Sequence, residues 1–217
     1  NAVHDDFARK GLRVLAMGVG EYESDDIEQW QVNIVGLVGF LDPPKEDVQL
    51  AVETAHNAGI RLMMITGDNA LTATAIAEEV GIYAQGDNVL SGTDIVEMDD
   101  EVLKKYLNNT TVWARMLPEH KYRIVKLLQE EKEIVAVTGD GANDVPALKA
   151  ADVGIAMGSG TEAAKATAKM ILLNNDLSVI IEAVRQGRII SDNIRKSIYF
   201  LVTTSIDEII LISGAIL

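Results

Sequence analysis

Beyond residue 42 the chain alternates between two hydrophobic periods. Val48, Ala51, Val52 and Ala55 recur at three- and four-residue spacing, which predicts a helix over Glu46–Ala58 closed by Gly59. Ile60–Ile65 follows as a short apolar strand, and Ala70–Val80 as a helix closed by Gly81. The same rhythm predicts a strand over Val112–Met116, a helix from Pro118 to about Glu131, a strand over Ile134–Val137 and a short helix over Val145–Ala150. Val153–Met157 and Met170–Leu173 read as strands flanking a helix over Thr161–Lys169, for which Ser159 and Glu162 stand at capping-box spacing. Upstream, Leu12–Met17 and Asn33–Phe40 read as β-runs joined by the acidic loop Glu21–Glu28, and Asp42-Pro43-Pro44 breaks any regular element.

Strands alternating with helices predict right-handed βαβ units. The fold class is therefore α/β, with a parallel, Rossmann-like sheet flanked by helices. Runs such as Ile134–Val137 and Val153–Met157 suit strands covered on both faces. Ligands of such sheets sit at the carboxyl ends of the strands, so the loops that follow the strands are where chemistry is expected.

The C-terminus departs from this rhythm. A long helix is predicted from Ser178, and Ser197–Leu217 is mostly apolar, close to the roughly 20 residues that span a bilayer. Arg185, Arg188, Arg195 and Lys196 precede the apolar run and mark its cytoplasmic side, while Asp207 and Glu208 interrupt it. A soluble amphipathic helix is the alternative. The apolar run continues to the last residue, as expected of a truncated chain.

Composition narrows the classes further. Aromatic residues are only 5% against 48% hydrophobic, so the core must be aliphatic. A net charge of −14 argues against nucleic acid as a partner, because phosphate contacts need a basic face. Without cysteine there are no disulfides and no thiolate metal sites. Asn1–Lys10 is polar and carries no secretory signal.

Three strand-end loops hold candidate chemistry. Thr138-Gly139-Asp140-Gly141-Ala142-Asn143-Asp144 crowds two carboxylates and a carboxamide between glycines, an arrangement that calls for a hard cation such as Mg²⁺. Thr66-Gly67-Asp68-Asn69 offers a hydroxyl for a phosphate oxygen, although Asp68 could equally be a helix N-cap. Lys121 places a cation in the first turn of a helix, against the macrodipole; an ordinary exposed lysine is the simpler reading. Gly158-Ser159-Gly160-Thr161-Glu162-Ala163 loosely matches a dinucleotide fingerprint but falls too late in the chain. P-loop, zinc and nucleophile-elbow motifs are absent, and His4, His56 and His120 read as surface histidines.

Taken together, TGDN at Thr66–Asn69, PEHK at Pro118–Lys121 and the run TGDGANDVPALKAADVGIAMG resemble the phosphorylation domain of P-type cation-transporting ATPases, in the haloacid-dehalogenase-like superfamily. The resemblance runs from Asp42 into the apolar helix. Residues 1–41, with LRVLA, resemble the end of the nucleotide-binding domain, 42–185 the phosphorylation domain, and 186–217 a stalk and the fifth transmembrane helix. It implies that Asp140 coordinates Mg²⁺, that Asn143 and Asp144 hold the phosphoryl site and its metal, and that Thr66 and Lys121 bind the transferring phosphoryl oxygens beside Gly67 and Asp68. It further implies that Arg13 and Arg115 contact ATP, that Asp42 is the hinge, and that Glu208, with Ser205 three residues earlier, faces the transported cation. These assignments imply an integral membrane protein, multi-pass in its full form, with a cytoplasmic phosphorylation domain.

Departures bear on this assignment. Ser205 stands where calcium and sodium/potassium pumps usually carry asparagine, Asp207 is unusual beside Glu208, and Lys45 replaces the common arginine after DPP. Calcium is the first expectation for the ion. No aspartate stands in the DKTGT context of the family's nucleophile, so the sheet is expected to be incomplete at its first strand and the chain inactive without the rest of the pump. The alternatives are a truncated, non-catalytic binding or regulatory protein and a soluble phosphatase of the same superfamily.

Overall fold

The computed structural model describes residues 2–20, 31–41, 43–45 and 47–216. The acidic loop, Asp42 and Glu46 lie outside them. The chain divides into two compact units, residues 1–176 and 177–217.

The first unit opens with helix α1 (Ala2–Arg9) and an antiparallel ribbon of β1 (Arg13–Gly20) and β2 (Val32–Phe40), whose register shifts between Met17 and Gly18. The βαβ part follows: α2 (Val48–Asn57), β3 (Met64–Ile65), α3 (Ala70–Glu79), β4 (Asn88–Ser91), α4 (Gly92–Val96), α5 (Asp100–Leu107), β5 (Thr110–Ala114) and α6 (Pro118–Glu130). It continues with β6 (Ala136–Gly139), a 3-10 turn (Ala142–Asp144), α7 (Val145–Ala150), β7 (Val153–Met157), α8 (Glu162–Thr167) and β8 (Met170–Leu172). The fold class is α/β, as expected.

The sheet, however, is in two pieces. β3, β5 and β4 form one parallel sheet in the order β3-β5-β4, and β6, β7 and β8 form another. Among the described residues β3 pairs only with β5 and β6 only with β7, leaving one open edge on each. β3 covers only Met64 and Ile65, where Ile60–Ile65 was expected; in its register with β5, Met64 against Val112, residues 60 and 61 would lie before β5 begins at Thr110.

The core follows from this pairing. Val112, Trp113 and Ala114 of β5, the middle strand of its sheet, are fully buried. One cluster packs Trp113 against Ile95, Leu103, Leu107, Met116, Ile124 and Leu127, and another sets Ala73 and Ala77 of α3 against Val112 and Ala114. Burying each leucine or isoleucine stabilises by about 1.5–3 kcal/mol before entropy is counted. The β4–α4–α5 segment that supplies Ile95 and Leu103 was not anticipated. Its strand has polar ends, and its helices are too short to display a full apolar stripe.

Two capping expectations are corrected. Thr161, not Ser159, caps α8, accepting from the Ala164 N–H, while Ser159 exchanges hydrogen bonds with Asn175. Asn69, not Asp68, caps α3, accepting from the Thr72 N–H.

The second unit is one continuous helix, α9 (Leu177–Ile216), of 40 residues. At 1.5 Å per residue it is about 60 Å long, twice the hydrocarbon thickness of a bilayer. It is long and apolar enough to cross a membrane.

Candidate functional site

Three loops at the carboxyl ends of β3, β5 and β6 are joined by specific bonds. The Thr66 N–H donates to Trp113 O at 2.9 Å as the last rung between β3 and β5. Past the strand end the Arg115 N–H donates to Asp68 O at 2.8 Å and the Met116 N–H to Thr66 O at 2.9 Å. To make both bonds Arg115 adopts a left-handed backbone, φ +51°, which is uncommon outside glycine and typical of functional loops. Its side chain is exposed and, among the described residues, makes no hydrogen bond or ion pair. It borders a depression of about 260 Å³ lined also by His4, Asp5, Asn69, Ala70, Leu71 and Ser91.

Within the first loop the Thr66 hydroxyl donates to Asp68 Oδ2 and accepts from the Asp68 N–H, both at 3.1 Å. Asp68 Oδ1 accepts from Arg13 Nη2 at 2.7 Å, bridging 55 residues of sequence. Gly67 sits exposed between them with open space where a side chain would start. Arg13 and Thr66, expected to serve nucleotide and phosphoryl group separately, are thus linked through one carboxylate.

From Met116 the chain turns into α6, with Pro118 in its first turn as expected. Lys121 follows, and its Nζ donates to Asp144 Oδ1 at 2.6 Å; their side chains are only 16% and 13% exposed. The simpler reading of Lys121 as an exposed lysine is therefore overturned: the acidic loop after β6 recruits it. Asp144 Oδ2 accepts from the N–H groups of Asp140 and Gly141 at 3.3 and 3.2 Å, which curls that loop around one carboxylate. Gly139 is required there, because a Cβ on it would collide with the Asp144 side chain.

The donor set fits a magnesium ion in part. Asp140 and Asn143 are exposed, and among the described residues neither side chain has a partner. Asp144 is committed to Lys121 and the loop. No group of three or more His, Cys, Asp or Glu side chains gathers among the described residues. One free carboxylate and one carboxamide, completed by phosphate and water, is how proteins hold Mg²⁺ rather than Ca²⁺.

Sequence reasoning missed His120, which is 8% exposed and not on the surface. Its capping role had a signal, the third helical position after the N-cap, where Glu or Gln usually stands. Ser205 and Glu208 lie in α9, at the spacing of three that shares a helix face; the Ser205 hydroxyl donates to Leu201 O at 3.0 Å.

Comparison with known proteins gives consistent matches. A family model described as haloacid dehalogenase-like hydrolase matches residues 5–152, and a second of the same description matches 121–184. A calcium-transporting ATPase of Listeria monocytogenes is 43% identical over 98% of this chain and 25% of its own length. The human calcium-transporting ATPase type 2C member 1 is 43% identical over 95% of the chain and 22% of its own length. The crystal structure of a zinc-transporting PIB-type ATPase in an E2·Pi state superposes with a TM-score of 0.62 at 27% identity, covering 90% of this chain and 26% of that one. The chain therefore spans about a quarter of the length of the relatives it matches.

Proposed function

Since the chain belongs to the haloacid dehalogenase-like hydrolase family, we propose that it forms the phosphorylation segment of an ATP-driven cation pump, with calcium as the ion. The observation that carries this reading is the Lys121–Asp144 pair, bonded through residues 115–121 to the Thr66–Asp68 loop. Phosphoryl transfer needs positioned charge more than covalent work by the protein, and a cation, a hydroxyl and free metal-ligating oxygens at strand ends supply it.

In this reading the Lys121 ammonium and Thr66 hydroxyl bind the oxygens of the transferring phosphoryl group, with Gly67 and Asp68 shaping their loop. Asp140 and Asn143 hold Mg²⁺, which neutralises phosphate charge when bound. Asp144 keeps Lys121 in place, and Arg13 and Arg115 reach the nucleotide from the ribbon and the β5 turn. The acceptor is a carboxylate on a further strand; the open edges of β3 and β6 support such a strand completing the sheet. Residues 1–41 close the nucleotide domain, Asp42 is the hinge, and 186–217 are stalk and membrane helix, where Glu208 and Ser205 meet the ion. The calcium-transporting relatives at 43% identity favour that ion.

The test is phosphorylation from γ-labelled ATP in membranes of the source, followed on the band recognised by an antibody to residues 97–108. A hydroxylamine-labile phosphoprotein that requires Ca²⁺ and disappears in Lys121→Met supports the pump. A labelled band indifferent to transported cations, or no label at all, rejects it.

A further inference from the structure

We propose that His120 is a positioning residue that sets the Lys121 ammonium against Asp144; the assignment rests on the reading of Lys121 as a phosphoryl ligand. His120 is one of three buried polar side chains among the described residues, with Thr72 and Thr110. Its Nδ1 accepts the Leu117 N–H at 3.3 Å. Leu117 is the N-cap of α6 and its side chain has no acceptor, so the usual forward half of a capping box is missing. The reciprocal half, from the third helical position back to the cap, joins the His120 and Lys121 N–H bonds to Leu117 O in holding the first turn, and an imidazole fills the place of the customary Glu or Gln.

The ring is fixed from the other side as well. A Cβ on Gly92 would lie 3.0 Å from His120 Nδ1 and would run into the Arg115 carbonyl oxygen. Only a glycine at the start of α4 lets the ring and the left-handed turn at Arg115 close together. His120 thus packs behind the stretch that carries both site contacts: Arg115 and Met116 bind the Thr66–Asp68 loop, and Lys121 binds Asp144. Accepting at Nδ1 requires the proton on Nε2; a doubly protonated ring has no acceptor to offer.

The experiment uses the 217-residue chain and reads the amine directly. In the wild type, hydrogen exchange at the Leu117 amide is expected to be protected. The rate of Lys121 acetylation is then compared in wild type, His120→Gln and His120→Leu, with exposed Lys149 as internal reference and thermal melting as a check on the fold. His120→Leu is expected to label Lys121 about fivefold faster, the effect of losing roughly one helix cap, while His120→Gln, which restores an acceptor at that position, labels at close to the wild-type rate. A purely structural histidine would lower the melting temperature of both variants and leave Lys121 labelling unchanged. The proposal is overturned by an unprotected Leu117 amide, by unchanged labelling in folded His120→Leu, or by His120→Gln labelling several-fold faster than wild type. If His120→Leu does not fold, the Leu117 exchange and the His120→Gln rate decide. None of these readings depends on phosphoryl transfer, so rejection of the pump reading leaves them intact.

Discussion

Lys121 and Asp144, 23 residues apart, meet with Nζ 2.6 Å from Oδ1 where α6 begins and the loop after β6 ends. The two partners are not equivalent. Asp144 also accepts two backbone N–H groups, whereas among the described residues the Lys121 ammonium has Asp144 as its one hydrogen-bonding partner. Removing the lysine leaves the carboxylate two donors; removing the aspartate leaves a cation in a helix's first turn and two unmet amides.

Stability should therefore fall unequally. Lys121→Met is expected to cost about 1.5 kcal/mol and Asp144→Ala about 3 kcal/mol. Urea denaturation of the two variants measures the difference. Equal losses would show that the backbone bonds to Asp144 contribute nothing.

Gly139→Ala tests the same loop by shape. The new methyl would stand against the Asp144 side chain, so the loop must open at a cost of about 1–3 kcal/mol. Mg²⁺ affinity, read by calorimetry, should fall with it, because Asp140 and Asn143 move with the loop.

The Arg13–Asp68 pair should behave differently. Arg13 is 71% exposed and Asp68 32%, so solvent screens the pair, and Arg13→Ala is expected to change stability by less than about 1 kcal/mol. The same variant should weaken nucleotide binding, since Arg13 reaches the nucleotide in the proposed function. Fluorescence titration with a nucleotide analogue checks the second half, and a large loss of stability in the denaturation curve would refute the first.

Asp94 supplies a pH prediction. The Ser91 hydroxyl and then the Ser91 N–H, both donating to Asp94 Oδ2 at 2.7 Å, hold its carboxyl below the usual carboxylate value of 3.8. A carboxyl lowered in the folded state contributes stability that is complete above its unfolded value and is lost as pH falls through the folded one. The contribution of this cap should therefore persist from neutrality down to about pH 4 and fade below it. Carboxyl chemical shifts should show an Asp94 midpoint below that of a model aspartate, returning toward it in Ser91→Ala.

Much of this arrangement is legible in the sequence. Pro118 opening α6, Gly59 and Gly81 beyond the ends of α2 and α3, and the acidic loop after β6 each follow from a local rule with a steric or electrostatic cause. The features that escape such rules depend on distant partners. Asn69 takes the cap, while Asp68 pairs with Arg13, 55 residues away. His120 goes inside because Gly92 leaves room for its ring. The division of the sheet depends on strand neighbours, which no periodicity encodes.

The 40-residue helix α9 contains no proline, and its 3.6-residue repeat runs unbroken from Leu177 to Ile216. Thirty-one residues separate Leu177 from Glu208, an axial distance of about 46 Å. A helix of this length curves gently but kinks sharply only at a break in its hydrogen-bond ladder, and proline, the commonest such break, is absent. A push or twist applied at its first turn is therefore passed along a continuous backbone ladder toward Glu208, in the manner of a drive shaft. Gly187, with open space where a side chain would start, is the weakest point of the helix's first half, since glycine inside a helix costs about 1 kcal/mol relative to alanine.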